Sequence, residues 1–192
     1  MNKTVRCRAE SDGSNEYTTV VELDAPNVST KHFKQLFENF TQECLFLTDE
    51  CTSSELFCTE DGLTDCYRTM VQTHKFPLLY ERIVVLTIYN LFNFGAKEGT
   101  HICMQSSSGN EKFMNKQSLG EKLVDGYRVI CPVSIAGYHV EPLRPDGTGV
   151  RLFYLNKSAS QGVPFYLFKR FGANKIASIF DKILARIQTY NI

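Results

Sequence analysis

The sequence has no tryptophan, no long apolar run and no excess of either charge. Without an apolar run of about 18 residues we expect no membrane-spanning helix, and residues 1–8 lack the apolar stretch of a secretory signal. The 21 basic and 21 acidic residues cancel, and no basic cluster appears, so nucleic acid is not expected as a partner. These absences predict a soluble, cytoplasmic protein.

Motifs for catalysis and metal binding are missing as well. There is no GxGxxG or GxxxxGK[ST] phosphate loop and no CxxC pair. The four histidines (His32, His74, His101 and His139) lie in separate predicted elements, with no second ligand at metal-binding spacing. We therefore expect no metal, no cofactor and no catalytic residue. The odd number of cysteines, seven, favours reduced thiols.

What the sequence does have is enough apolar material for one core. Its 192 residues are 43% hydrophobic and include 14 phenylalanines and nine tyrosines. A chain of this length suits one domain, which we assign to residues 1–192.

Hydrophobic patterning predicts many strands and two helices. Ser29 is expected to cap a helix whose apolar residues, Phe33, Leu36, Phe37 and Phe40, recur at helical spacing. A hairpin is expected before it, at residues 3–9 and 17–23. Further strands are predicted at residues 45–47, 55–59, 64–72, 81–89, 100–105, 127–141 and 149–156, with a loop at 106–126. Hairpin connections without βαβ alternation predict an antiparallel α+β domain.

The clearest element is a C-terminal helix, predicted at residues 164–190. Its apolar residues keep helical spacing from Phe168 to Tyr190, with charged residues on the opposite face. About 25 residues at about 1.5 Å each give about 37 Å, long enough to cross a sheet. Gly172 is expected to interrupt it.

The C-terminal half resembles a known family. The segments GYHVEP (137–142), GVRLFYL (149–155) and SQGVP (160–164), followed by the long helix, are similar to the last strands and lid helix of START (StAR-related lipid transfer) domains. Residues 80–86, YERIVVL, are similar to another strand of that family. The resemblance implies a helix-grip, Bet v 1-like fold: a curved antiparallel sheet wrapped around a long C-terminal helix, with an internal hydrophobic cavity.

The same resemblance implies a function and a site. The expected function is to bind or transfer a lipid such as a phospholipid, sterol or fatty acid, without catalysis. The protein is expected to act as a monomer that contacts membranes transiently. The helix would act as a lid, with Gly162 and Gly172 as hinges. Its start would meet the membrane through Phe165, Tyr166, Lys169 and Arg170. The expected ligand-binding residues are Arg82, Val84, Leu86, Cys103, Gln105, Tyr138, Val140, Leu152, Tyr154, Phe168, Ile176, Ile179, Phe180 and Ile183.

Two alternatives stay open at the level of sequence. One is an enzyme of aromatase/cyclase type that acts on a bound hydrophobic substrate, for which His101 or His139 would serve as the acid–base group. The other is a protein-interaction module, in which the apolar helix face meets a partner.

Overall fold

Nine strands and a C-terminal helix dominate the part of the chain that the computed structural model describes, which is residues 2–10, 16–59, 67–75, 81–95, 97–107, 128–159 and 164–190. The strands are β1 (Asn2–Ala9), β2 (Glu16–Ser29), β3 (Cys51–Thr59), β4 (Tyr67–His74), β5 (Glu81–Phe92), β6 (His101–Ser106), β7 (Arg128–Ile130), β8 (Val133–Pro142) and β9 (Thr148–Ala159). The first two helices are α1 (Thr30–Glu38) and α2 (Phe40–Leu47).

The C-terminal helix has three parts. It begins with one α-helical turn, α3 (Phe165–Leu167), continues as a π-helical segment (Phe168–Gly172) and ends as α4 (Ala173–Ile187). The interruption predicted at Gly172 is therefore confirmed, as a widened turn that ends at this residue. None of the described helices is both long and apolar enough to cross a bilayer.

The strands form one sheet in the order β1-β2-β9-β8-β6-β5-β4-β3, and every neighbouring pair on this path is antiparallel. The short β7 runs parallel to the start of β5, at Glu81–Ile83, because β6 pairs only with Thr87–Phe92. The sheet curves around the helices, and this confirms the predicted α+β class, with an antiparallel sheet gripping a C-terminal helix.

Local signals explain where α1 begins. The Ser29 hydroxyl accepts a hydrogen bond from the Lys31 N–H at 3.2 Å, and the Ser29 N–H donates to His32 Nδ1 at 3.2 Å. The cap satisfies backbone groups that the first helical turn leaves open. Phe33, Leu36 and Phe37 of this helix are fully buried, as the spacing predicts.

Two sequence predictions need correction. Residues 45–47 were predicted as a strand but end α2, because a short apolar run does not distinguish strand from helix. Residues 127–141 were predicted as one strand with a bend at Pro132 or Gly137, but the described part forms two strands, β7 and β8, which are separated at Cys131 and Pro132 and have different partners. Pro132 has no N–H for a sheet ladder, which favours the break.

In the part of the chain that the structure describes, the remaining strand predictions and the hairpin at residues 3–9 and 17–23 are confirmed, with ends that differ by a few residues; residues 64–66 of the strand predicted at 64–72 lie outside that part. Most of the predicted loop, residues 108–126, and the hinge candidate Gly162 lie outside the described residues.

Candidate functional site

A cavity of about 220 Å³ lies between the sheet and the helices and is partly open to solvent. Its apolar walls come from three places. The strands contribute Val84, Leu86, Val133 and Ala136; α2 contributes Phe40, Cys44 and Leu47; α4 contributes Ile176, Ile179 and Phe180. The cavity exists because an amphipathic helix lies over a curved sheet whose inner side chains do not fill the space beneath it.

An aromatic cluster forms one side of the cavity. The rings of Tyr138 and Tyr154 are 4.7 Å apart, and the Tyr154 ring meets Phe180 edge-on at 5.3 Å. Phe40 reaches Tyr138 at 5.9 Å from the opposite helix. Burial raises the pKa of Tyr154 to about 12 and raises the pKa of Tyr138 well above its ordinary value, so both phenols stay neutral.

Polar side chains interrupt the apolar lining on the sheet. Gln72 and His74 extend from β4, and His74 Nε2 donates to Gln72 Oε1 at 3.1 Å. Burial lowers the pKa of His74 to about 4, so its imidazole is neutral at physiological pH. Gln105 and Asn156 lie on either side of Ala136 in one cross-strand row, on β6, β8 and β9. The small alanine leaves space between the two amides.

Eight of the fourteen expected ligand-binding residues line this cavity. They are Val84, Leu86, Gln105, Tyr138, Tyr154, Ile176, Ile179 and Phe180. Four others are buried in the core outside the lining: Cys103, Val140, Leu152 and Ile183. The remaining two expected residues, Arg82 and Phe168, also lie outside the cavity lining. Arg82 is half-buried across the strand from His74, and Phe168 packs on Tyr17 at 4.7 Å.

The four residues expected to touch a membrane lie at the start of the C-terminal helix. Tyr166 is 69% exposed, and Lys169 and Arg170 are exposed beside it. Phe165 is half-buried and packs on Tyr17 at 5.2 Å.

Nine lining residues were missed from the sequence. They are Phe40, Cys44, Leu47, Thr48, Gln72, His74, Val133, Ala136 and Asn156. The α2 group was missed because its end was assigned to a strand. For Gln72 the missing information was strand register: it faces the cavity because it pairs with Val84.

The histidines considered for catalysis lie away from the cavity lining. His101 is buried beside Phe92, with ring centroids 5.4 Å apart, and its Nδ1 accepts from the Asn93 N–H at 3.3 Å. His139 stacks on Phe153 at 6.0 Å. Within the described residues, no group of three or more metal-ligating side chains occurs.

Ion pairs hold α4 in place over the cavity. The Arg186 guanidinium donates to both carboxylate oxygens of Glu43 on α2, at 2.7 and 3.0 Å. Lys175 pairs with Glu50 at 2.7 Å, and Lys182 pairs with Asp49. On the other side, Lys3 of β1 pairs with Asp181. In contrast, α3 and the π-helical segment contact the sheet through Phe165 and Phe168 on Tyr17.

A curved antiparallel sheet, a gripped C-terminal helix and an apolar cavity between them define the helix-grip class of fold. No protein-family model matches the sequence, and no curated protein matches it.

Solved structures are similar to the chain over nearly its whole length. Human STARD10 superimposes with a TM-score of 0.75 at 12% identity, over 98% of this chain and 70% of that one. Human StAR-related lipid transfer protein 5 superimposes with a TM-score of 0.69 at 11% identity, over 97% of this chain and 82% of that one. A STAR-related lipid transfer protein from Xanthomonas axonopodis superimposes with a TM-score of 0.68 at 12% identity, over 97% of this chain and 94% of that one. The chain therefore has the fold of START domains.

Proposed function

We propose that this protein binds a hydrophobic ligand, a lipid or a molecule with a lipid-like chain, in the cavity between its sheet and C-terminal helix. The observation that carries the proposal is the lining: aliphatic and aromatic side chains from strands and helices surround a space left unfilled. Transfer of apolar surface from water into such a space contributes about 25 cal/mol per Å². The similar structures include proteins named for lipid transfer, which supports the same function.

The size of the cavity favours entry coupled to movement of the helix. Ligand pockets usually measure about 300–1,000 Å³, and this cavity measures about 220 Å³. We propose that the ligand enters as the start of the C-terminal helix moves outward and enlarges the space. Gly172, at the junction between the π-helical segment and α4, is the proposed hinge.

The distribution of contacts along the helix supports this direction of opening. Ion pairs to α2, β1 and the segment after α2 fix α4, and the rings of Phe165 and Phe168 pack on Tyr17 in the first turns. Tyr166, Lys169 and Arg170 are exposed on the part proposed to move, which is consistent with release at an anionic membrane surface. We propose that the protein works as a monomer in the cytoplasm and contacts membranes transiently.

We propose binding without catalysis. The enzyme alternative required His101 or His139 in the cavity, and neither side chain is part of its described lining. The imidazole that does line the cavity, His74, is hydrogen-bonded to the Gln72 amide, and burial lowers its pKa to about 4, which makes it a weak base at neutral pH.

Native mass spectrometry of the protein after incubation with mixed lipid vesicles tests the proposal. We expect one lipid per chain. Ile179→Trp should fill the cavity and lower the association constant for lipid at least about tenfold, a difference of about 1.4 kcal/mol. Ser178→Trp adds the same side chain at an exposed position of α4 and should bind as wild type.

Circular dichroism establishes that both variants fold, and Ala136→Leu fills the same cavity from the sheet if Ile179→Trp does not fold. Absence of any lipid adduct on the wild-type protein would refute the proposal. Equal binding by the cavity-filling and surface variants would place the ligand elsewhere.

A further inference from the structure

The described residues of the cavity lining include polar groups but no charged side chain. Among the described residues that line it there is no lysine, arginine, aspartate or glutamate. Its polar atoms are the amides of Gln72, Gln105 and Asn156, the hydroxyls of Thr48, Tyr138 and Tyr154, and the imidazole of His74. These groups donate and accept hydrogen bonds without offering a counter-ion.

From this lining we propose that the cavity selects an uncharged lipid: an apolar chain that carries a hydroxyl, ester or amide group, with no carboxylate or phosphate inside. The inference rests on the proposed function and narrows it to a ligand class. It separates neutral lipids from the fatty acids and phospholipids that the family resemblance leaves open.

The reason is the free energy of burying a charge. An ionised group taken from water into a site without a counter-ion loses its hydration, and nothing in the site replaces it. A neutral hydroxyl or carbonyl loses far less and recovers it through one or two hydrogen bonds. A neutral lining therefore discriminates by charge although its shape accepts both kinds of chain.

Charged groups near the cavity do not change this conclusion. Glu50 is the acidic group that acts on His74, and it favours protonation, but desolvation is the larger effect and keeps the imidazole neutral. The Glu50 carboxylate is paired with Lys175 at 2.7 Å. Arg82, the cross-strand neighbour of His74, lies outside the lining.

Gln105 is the best-placed partner for a neutral polar group. It is 6% exposed, and its Nε2 donates to the Cys103 sulfur at 3.8 Å. A thiol sulfur is a weak acceptor, so a ligand oxygen would be a stronger one. Asn156, in the same cross-strand row beyond Ala136, offers a second amide to the same ligand.

A matched pair of lipids tests the inference: 1-palmitoylglycerol and palmitoyl lysophosphatidate, which differ by one phosphate group. Competition between them at neutral pH, measured by native mass spectrometry, should favour the neutral lipid at least about tenfold. Equal or tighter binding of palmitoyl lysophosphatidate would overturn the inference but would leave the proposed function unaffected. If neither of these lipids binds and no other lipid binds, both the inference and the proposed function are overturned.

Two variants at one position make the test specific. Gln105→Leu should weaken binding of 1-palmitoylglycerol about fivefold, whereas Gln42→Leu, the same change at an exposed position of α2, should have no effect. Gln105→Lys introduces a cation and should shift the preference toward the phosphate. An unchanged preference in a folded Gln105→Lys protein would contradict the inference, because a loss of stability alone does not invert selectivity.

Discussion

Glu43 is a buried carboxylate whose partner lies 143 residues later in the chain. It is 6% exposed, and both of its oxygens accept hydrogen bonds from Arg186. The guanidinium also lies over the Phe46 ring at 4.8 Å. This pair of side chains thus joins α2 to α4.

Glu43→Ala should therefore lower the free energy of unfolding by about 2 kcal/mol, because it removes two charge-assisted hydrogen bonds and leaves Arg186 without its counter-ion. Urea unfolding followed by circular dichroism measures the change. Glu38→Ala is the matched control, since Glu38 forms an exposed pair with Lys34 on α1, worth about 0.5 kcal/mol or less. Equal losses in the two variants would show that burial adds nothing to the Glu43 pair.

His74 makes stability depend on pH. Burial lowers the pKa of its imidazole from 6.5 to about 4. Between these values the unfolded chain binds the proton and the folded chain does not, so stability falls as pH decreases from about 6.5 toward 4. From pH 7 to pH 5 this one group should remove about 2 kcal/mol.

Urea unfolding at the two pH values measures the loss, and His74→Gln should reduce it by that amount. The burial of His101 lowers its pKa in the same direction, so part of the pH dependence should remain in the variant. A His74→Gln protein with the full wild-type pH dependence would show that the pKa of His74 is the same in the folded and unfolded states.

At the scale of elements, the C-terminal helix combines a fixed part and a proposed moving part. Gly172 has ordinary helical dihedral angles, with φ near −65°, so glycine is not required there by backbone strain. A Cβ at this position would lie 3.1 Å from the Phe168 ring, so the ring must shift slightly.

Gly172→Ala should make the helix stiffer at the proposed hinge, because alanine favours a helix by about 1 kcal/mol over glycine. We expect the dissociation of a bound lipid to slow several-fold, measured as transfer of a fluorescent lipid to acceptor vesicles. Ser178→Ala, at an exposed position of α4, raises helix propensity away from the hinge and is the control. If both variants slow dissociation equally, opening is not localised at Gly172.

Element type was predictable from sequence where periodicity was long. The C-terminal helix and β9 repeat their apolar pattern over enough residues for the period to be clear. The helical structure at the end of α2 was not predictable, because a run of three apolar residues fits the period of a strand as well as that of a helix. Its helical state follows from burial of Phe40, Cys44 and Leu47 along one face against the sheet, a tertiary contact.

At the scale of the whole molecule, the proposed membrane contact concentrates at one end of the helix. Lys169→Ala combined with Arg170→Ala should weaken binding to anionic vesicles by about 2 kcal/mol, about 30-fold, and leave binding to neutral vesicles unchanged. Co-sedimentation measures both. Lys31→Ala with Arg144→Ala removes two exposed charges from other elements and should have little effect. Equal losses from the two pairs would indicate a general charge effect instead of a local contact.

About half of the lining was predictable. Eight lining residues were predicted through the family resemblance. They lie on strands and helix turns, where local alternation is consistent with an inward-facing side chain. The two polar lining residues Gln72 and His74 were not predicted, because no local sequence pattern distinguishes a polar side chain that faces a cavity from one that faces solvent.

The sequence by itself determined the local structure: the Ser29 cap, the turn at residues 144–147, the amphipathic helix and the strand-rich order. These features depend on neighbours a few residues apart. Strand pairing, the helical state of α2 and the absence of charge among the described lining residues depend instead on tertiary structure. Segments distant in the chain meet there: Val21 of β2, for example, pairs with Tyr154 of β9, and such pairing leaves no local pattern in the sequence.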